Sequence, residues 1–187
     1  MKKINLLLLT SVFILFVFAA CKKDEDNPET PPPVSNSGEI ITTLTLRFTD
    51  TAGVQPAVSY TFRDPDGEGG NPHVTFDQIT LQSLTTYNCE ILLLDETKNP
   101  ADTISNEVLE EADEHLFCYE VTGSQVSIIR TDTDGTYELG LETLWTTAGA
   151  STGNVVVTLK HQPGGIKNGT CTPGDTDVEL EFDLIVE

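Results

Sequence analysis

Between Val178 and Val186 the chain alternates strictly: Val178, Leu180, Phe182, Leu184 and Val186 interleave with Glu179, Glu181 and Asp183. Successive side chains of an extended strand point to opposite faces. This segment can therefore bury one face and wet the other as a strand, whereas a helix would scatter the same groups around its circumference. The period recurs along the chain. Ile40, Leu44, Leu46 and Phe48 share one face, with Thr43, Thr45 and Arg47 on the other. Val58, Tyr60 and Phe62 alternate with Ser59, Thr61 and Arg63; Phe117, Tyr119 and Val121, and then Val155, Val157 and Leu159, repeat the pattern. Trp145, the sole tryptophan, shares parity with Leu139 and Leu141, which places it in the core. Ile91-Leu92-Leu93-Leu94 is apolar on both faces, which predicts a central strand. Parity reverses between Phe76 and Ile79, which predicts a bulge or a break.

Asp-Gly, Gly-Gly and Pro-Gly turn signals separate these runs at short intervals, a pattern of antiparallel sheets rather than of βαβ units. The expected fold is all-β: an antiparallel β-sandwich, Ig-like or jelly-roll-like, over residues 39–187. That is a single-domain length, able to bury about two-thirds of its unfolded surface. One short helix is expected over Ser105–Glu114, with Ser105 as its cap.

Ahead of the strands the chemistry changes. Lys2 and Lys3 precede a run from Leu6 to Ala20 without charge. The run is shorter than the roughly 20 residues a membrane-spanning helix needs and suits the apolar region of a signal peptide. It ends in Phe18-Ala19-Ala20-Cys21, which resembles the lipobox cut by the lipoprotein signal peptidase. The resemblance implies a signal peptide over residues 1–20 and diacylglycerol on the Cys21 thiol; two or more acyl chains hold stably to a bilayer. Lys22-Lys23-Asp24-Glu25-Asp26 resembles the surface-export signal of Bacteroidota lipoproteins. Residues 21–38 carry Pro28, Pro31, Pro32 and Pro33 among polar groups, the composition of an extended tether. The expected place is the outer membrane, lipid-anchored and facing the cell exterior.

The full chain has 10 basic and 30 acidic residues, net −20. Loss of the signal peptide removes two of the lysines and leaves −22. Such a charge argues against nucleic acid as a partner and suits cations. The partners expected are the membrane, through the lipid, and a surface ligand or envelope protein. With Cys21 lipidated, Cys89, Cys118 and Cys171 remain, so at least one thiol is unpaired within the chain. In chain order, Phe62-Arg63-Asp64-Pro65-Asp66-Gly67, Glu110-Glu111-Ala112-Asp113-Glu114-His115 and Leu159-Lys160-His161-Gln162-Pro163 resemble a family of small uncharacterised surface lipoproteins of Bacteroidota. That likeness implies no activity.

Candidate chemistry is sparse. Asp64-Pro65-Asp66-Gly67 and Asp132-Thr133-Asp134-Gly135 pair carboxylates on Gly-permitted loops. Asp64, Asp66, Asp132 and Asp134 are thus candidate ligands for weakly bound calcium, although such residues also dominate ordinary turns and the EF-hand spacing fails. His115 and His161 fall in the apolar parity of their strands, at the rim of a core or a site, and His73 is the third histidine. No metal-binding spacing links the three. Glu110, Glu111, Asp113 and Glu114 read as the solvated face of a helix. Asp50-Thr51-Ala52 and Asp102-Thr103-Ile104 resemble the O-glycosylation signal of exported Bacteroidota proteins, at Thr51 and Thr103. Serine-hydrolase, phosphate-loop and dinucleotide motifs are missing. The expected role is a binding or adhesion module; the alternatives are a structural envelope protein and, third, a hydrolytic enzyme with His115 or His161 beside a carboxylate in a cleft.

Overall fold

The computed structural model describes residues 39–67 and 70–187; the expectations about the signal peptide, Cys21 and the tether lie outside those residues. Ten strands and one helix follow in order: β1 (Thr43–Asp50), β2 (Val58–Arg63), β3 (Thr75–Phe76), β4 (Ile79–Leu81), β5 (Thr86–Leu94), α1 (Ile104–Glu110), β6 (His115–Thr122), β7 (Val126–Arg130), β8 (Glu142–Thr147), β9 (Ser151–His161) and β10 (Asp175–Val186). They form a six-stranded sheet, order β3-β2-β1-β5-β8-β7, packed on a four-stranded sheet, order β4-β10-β9-β6. The all-β sandwich with one short helix is the observed fold. Every ladder between named strands is antiparallel except β4 with β10, which is parallel.

The inward parity is the one the sequence predicts. Leu44, Leu46 and Phe48 of β1, Leu93 of β5 and Trp145 of β8 are fully buried against Phe117, Val155, Val157, Leu159, Phe182 and Leu184 of the smaller sheet. The Trp145 ring meets Phe48 edge-to-face at 5.0 Å, and its Nε1–H donates to Thr143 Oγ1 at 2.8 Å, so its one polar atom is satisfied inside the core.

Two local expectations hold and two are corrected. The parity reversal after Phe76 is the expected break rather than a bulge: β3 pairs with β2 in one sheet and β4 with β10 in the other, so Asp77-Gln78 carries the chain across the sandwich. β5 is central, as expected, and Leu92 on its outer side is 41% exposed. Ile40 lies outside β1 and is exposed, while Ile41 packs on the core instead. The helix begins at Ile104, with Thr103 rather than Ser105 at the cap position and no side-chain capping bond.

The cysteine arithmetic resolves into a Cys118–Cys171 disulfide and a buried free Cys89. The disulfide ties the β9–β10 connection to β6. Lys167 of the same connection donates to Ala112 O and to Asp134 Oδ2, both at 2.7 Å.

Removal of the central indole should show the division between faces. Trp145→Ala is expected to destabilise by about 3–5 kcal/mol and to lower Tm by about 10 °C. Ile129→Thr, on the outer face and 57% exposed, should change Tm by less than about 2 °C. Comparable losses from both would contradict the assignment of faces.

Candidate functional site

The ladder between β9 and β10 pairs Thr176 with Lys160 and then Val178 with Leu159, so Asp177 is the extra residue of a β-bulge. A bulge re-aims a side chain. Without it Asp177 would point outward with Glu179 and Glu181; with it, the carboxylate is 1% exposed and its Oδ2 lies 3.9 Å from His115 Nε2.

His115 opens β6 and His161 closes β9, and the ladder sets them directly opposite each other. Their rings stack with centroids 4.9 Å apart and planes 12° from parallel. His115 is buried, and its Nδ1–H donates to the backbone carbonyl of Glu111 at 3.1 Å. Burial pushes its pKa below the ordinary value, so the ring is neutral with the proton on Nδ1 and the lone pair on Nε2. That lone pair faces two carboxylates, Asp177 and Glu39 Oε1, each at 3.9 Å. On the other ring, His161 Nε2 lies 3.8 Å from Glu114 Oε2.

A neutral imidazole between two buried carboxylates favours protonating one of them. Glu39 is the group that yields: burial first, then the charges of Asp177, Glu107 and Glu111, raise its pKa from 4.5 to about 7. Its Oε2 is buried and has no hydrogen-bond partner among the described residues. Glu39, Glu111 and His115 each bring a ligand atom within 4.8 Å of the other two. This trio could hold a divalent cation once Glu39 has lost its proton.

Glu39 and Asp177 also line a cleft of about 440 Å³ with Ile40, Asp66 and Thr97. A second cleft, about 370 Å³, continues along β10 between Asp177, Val178 and Leu180 on one side and Ile41, Phe62 and Asp64 on the other. A third, about 160 Å³, lies beside Glu181 and Asp183 against Phe76, Asp77 and Gln78. The largest groove, about 540 Å³, runs over the outer face of the smaller sheet beside the disulfide. Polar groups on its floor satisfy one another, as in Lys160 Nζ to Thr176 Oγ1 at 2.9 Å and Thr158 Oγ1 to Glu179 Oε2 at 3.3 Å.

The two Asp-x-Asp-Gly turns do not meet. They follow β2 and β7, which are separated by β1, β5 and β8, or about 19 Å at the usual strand spacing. Asp132 accepts N–H bonds from Gly140 at 2.6 Å and Glu142 at 3.1 Å. Asp134 accepts from the N–H groups of Thr136 and Tyr137 and from Lys167 Nζ, all at 2.7 Å, with its side chain 5% exposed and that of Lys167 2%. Burial alone would raise the Asp134 pKa, but Lys167 and the two N–H donors hold it below the usual carboxylate range. A cation at this turn would have to displace a buried ammonium. In the other turn, Asp66 Oδ2 accepts two bonds from Asn71, while Asp64 Oδ1 is buried with no hydrogen-bond partner among the described residues.

His73 is engaged elsewhere, its ring 5.8 Å from Phe62 and 5.5 Å from Phe76. Thr51 is exposed and bonds Thr86 O, beside an Asp50 carboxylate that accepts the N–H groups of Ala52, Val54 and Gln55. Thr103 is half-buried at the helix start. Of the acidic run, Glu110 and Asp113 are exposed as expected, whereas the Glu111 carbonyl and the Glu114 carboxylate reach the two histidines. Sequence reasoning missed Glu39, Asp177 and Lys167. No family model, no curated protein and no solved structure matches the chain.

Two measurements test this geometry. Glu39 is protonated to about pH 7 when folded and to about 4.5 when not, so its contribution to stability is full below pH 4.5 and is lost as pH rises through 7. Glu39→Gln keeps the neutral shape. Parent and variant should melt together near pH 4.5, with the variant more stable by on the order of 1–2 kcal/mol at pH 8; a difference that does not change with pH would contradict the proton on Glu39. Asp134→Ala strands the buried Lys167 ammonium and should destabilise by about 3–5 kcal/mol, with the same loss in calcium and in chelator. Restoration of Tm by calcium alone would contradict a purely structural ion pair.

Proposed function

We propose that the chain is an outer-membrane lipoprotein, anchored through Cys21 and facing the cell exterior, whose β-sandwich is a binding or adhesion module. The observation that carries the binding reading is the row of three clefts along β10, where apolar Ile41, Phe62 and Leu180 lie among Asp64, Asp77 and Glu181. Binding sites combine apolar walls with a few placed polar groups in this way. The signal peptide, the Lys-Lys-Asp-Glu-Asp segment and the Pro-rich tether support the anchored, outward-facing placement.

A second reading, general acid–base hydrolysis, is favoured by one arrangement. Glu39 lines a cleft with its pKa raised to about 7, and a neutral His115 lies behind it. That is the protonation state an acid–base pair needs near neutral pH.

Mass spectrometry of the mature N-terminal peptide should find acyl mass on Cys21, and protease added to intact cells should remove the domain. An unmodified Cys21 in a soluble product, or full protection in intact cells, would overturn the placement. Hydrolysis of generic ester, amide or glycoside substrates near pH 7 that is lost in Glu39→Gln would replace the binding reading with the second one.

A further inference from the structure

The connections at the two ends of the sandwich differ in charge. The end that holds Glu39 and the paired histidines is acidic, with Asp64, Asp66, Asp95, Asp102, Asp132 and Asp134 in its connections. At the other end, four connections carry no charged residue: 51–57 between β1 and β2, 82–85 between β4 and β5, 123–125 between β6 and β7, and 148–150 between β8 and β9. The chain as a whole has a net charge of −20. Backbone bonds join the four into one rim: Thr51 N–H donates to Thr86 O, Leu84 N–H to Ala148 O, and Ala148 N–H to Gln125 O, each at 2.9 Å. The acid beside this rim is Glu187, whose Oε1 accepts from Gln82 Nε2 at 3.3 Å.

Two apolar tips stand on the rim. Val54 and Leu84 are 83% and 85% exposed, the highest values for a large apolar side chain among the described residues. Both are held in place. The buried Asp50 carboxylate accepts the N–H groups of Ala52 and Val54. Leu84 has φ 54°, in the left-handed region that leucine seldom adopts; its neighbours are fixed by Ser83 N–H to Glu187 O and Thr85 N–H to Thr147 Oγ1. Ala52, Ala57, Ala148 and Ala150 beside them are exposed as well. Apolar groups displayed on a braced rim lose little freedom when a partner covers them.

A bilayer matches this surface poorly, because the four connections contain no Trp, Tyr, Lys or Arg, the groups that settle at a membrane interface. A second copy matches it well. Elsewhere two chains of this charge set acid against acid, whereas two neutral ends bring apolar tip against apolar tip. We propose that two copies of this chain meet end to end, through the rim that carries Val54 and Leu84. This deepens the adhesion-module reading by naming the partner, and rests on it. Glu39, where the tether joins the domain, lies at the opposite end, so the neutral end is the one a tethered domain can present to an opposed surface. The four connections span three strand spacings, about 14 Å, too little for the roughly 800 Å² per partner of a stable complex. Each contact is weak, and many facing copies add up.

The test displays the mature chain on phosphatidylcholine vesicles, held by its own acyl chains or, where Cys21 is unmodified, by coupling that thiol to a maleimide lipid. Clustering is followed by light scattering. Coated vesicles are expected to cluster with one another and not with bare ones. Clustering should strengthen with salt, which screens the repulsion between acidic chains and leaves an apolar contact intact. The double variant Val54→Glu, Leu84→Glu, at exposed positions and with the Tm of the parent, should slow clustering at least about tenfold. A photoreactive benzophenone residue in place of Leu84 should cross-link to the same rim of a second copy, at 51–57, 82–85, 123–125 or 148–150. Absence of clustering at any salt, equal clustering of the double variant, or cross-links elsewhere in the domain would overturn the end-to-end contact. Clustering with bare vesicles would replace the second copy by a bilayer. None of these results touches the clefts along β10, where binding of another ligand would keep the module reading, and an unmodified Cys21 would overturn the anchored placement alone.

Discussion

β10 pairs with β9 along its whole length and with β4 at Leu184–Val186, and the arrangement of the candidate site follows from the longer of these ladders. The ladder with β9 fixes the inward parity of Val178, Leu180, Phe182, Leu184 and Val186 and closes the sandwich over Trp145 and Phe48. The same ladder contains the bulge that turns Asp177 inward. Because β9 pairs with β6 on its other flank, His161 is held opposite His115, and Asp177 arrives at that pair from the third strand. On the other flank of β10, ahead of the pairing with β4, the three clefts appear in succession.

A chain with 30 acidic and 10 basic residues must keep its carboxylates from destabilising the folded state. Many of the described ones do this by facing water. Others are used as backbone acceptors: Asp50 takes three N–H groups, Asp132 takes two, and Asp95 accepts both the N–H and the hydroxyl of Thr97. Asp134 is neutralised inside by Lys167. Glu39 has neither solution. Its Oε2 lacks a hydrogen-bond partner among the described residues, its neighbour His115 is neutral, and its proton is retained instead. Stability alone does not explain this arrangement, and Glu39 borders a cleft.

Much of the fold was legible because side-chain parity survives folding. The alternations at Leu44–Phe48, Val155–Leu159 and Val178–Val186 each mark a strand with the predicted inner face. Parity also placed His115 and His161 inward, although their stacking required a register that no single strand encodes. The run Ile91–Leu94 marked β5 as central, but four apolar residues in a row do not say which of them face water, as Leu92 does. Asp177 was hidden because a bulge shifts parity without leaving a sequence signature. Glu39 and Lys167 sit outside any periodic run, and only long-range packing brings them to Asp177 and Asp134. The Asp-x-Asp-Gly motifs were legible as turns; their separation across the larger sheet depends on strand order, which the sequence does not state.

The proton held by Glu39 is the claim on which the account of the candidate site depends, and the 13C shift of its side-chain carboxyl, followed through a pH titration of the folded chain, tests it directly. The account predicts a midpoint near 7. A midpoint near the ordinary 4.5 would contradict it.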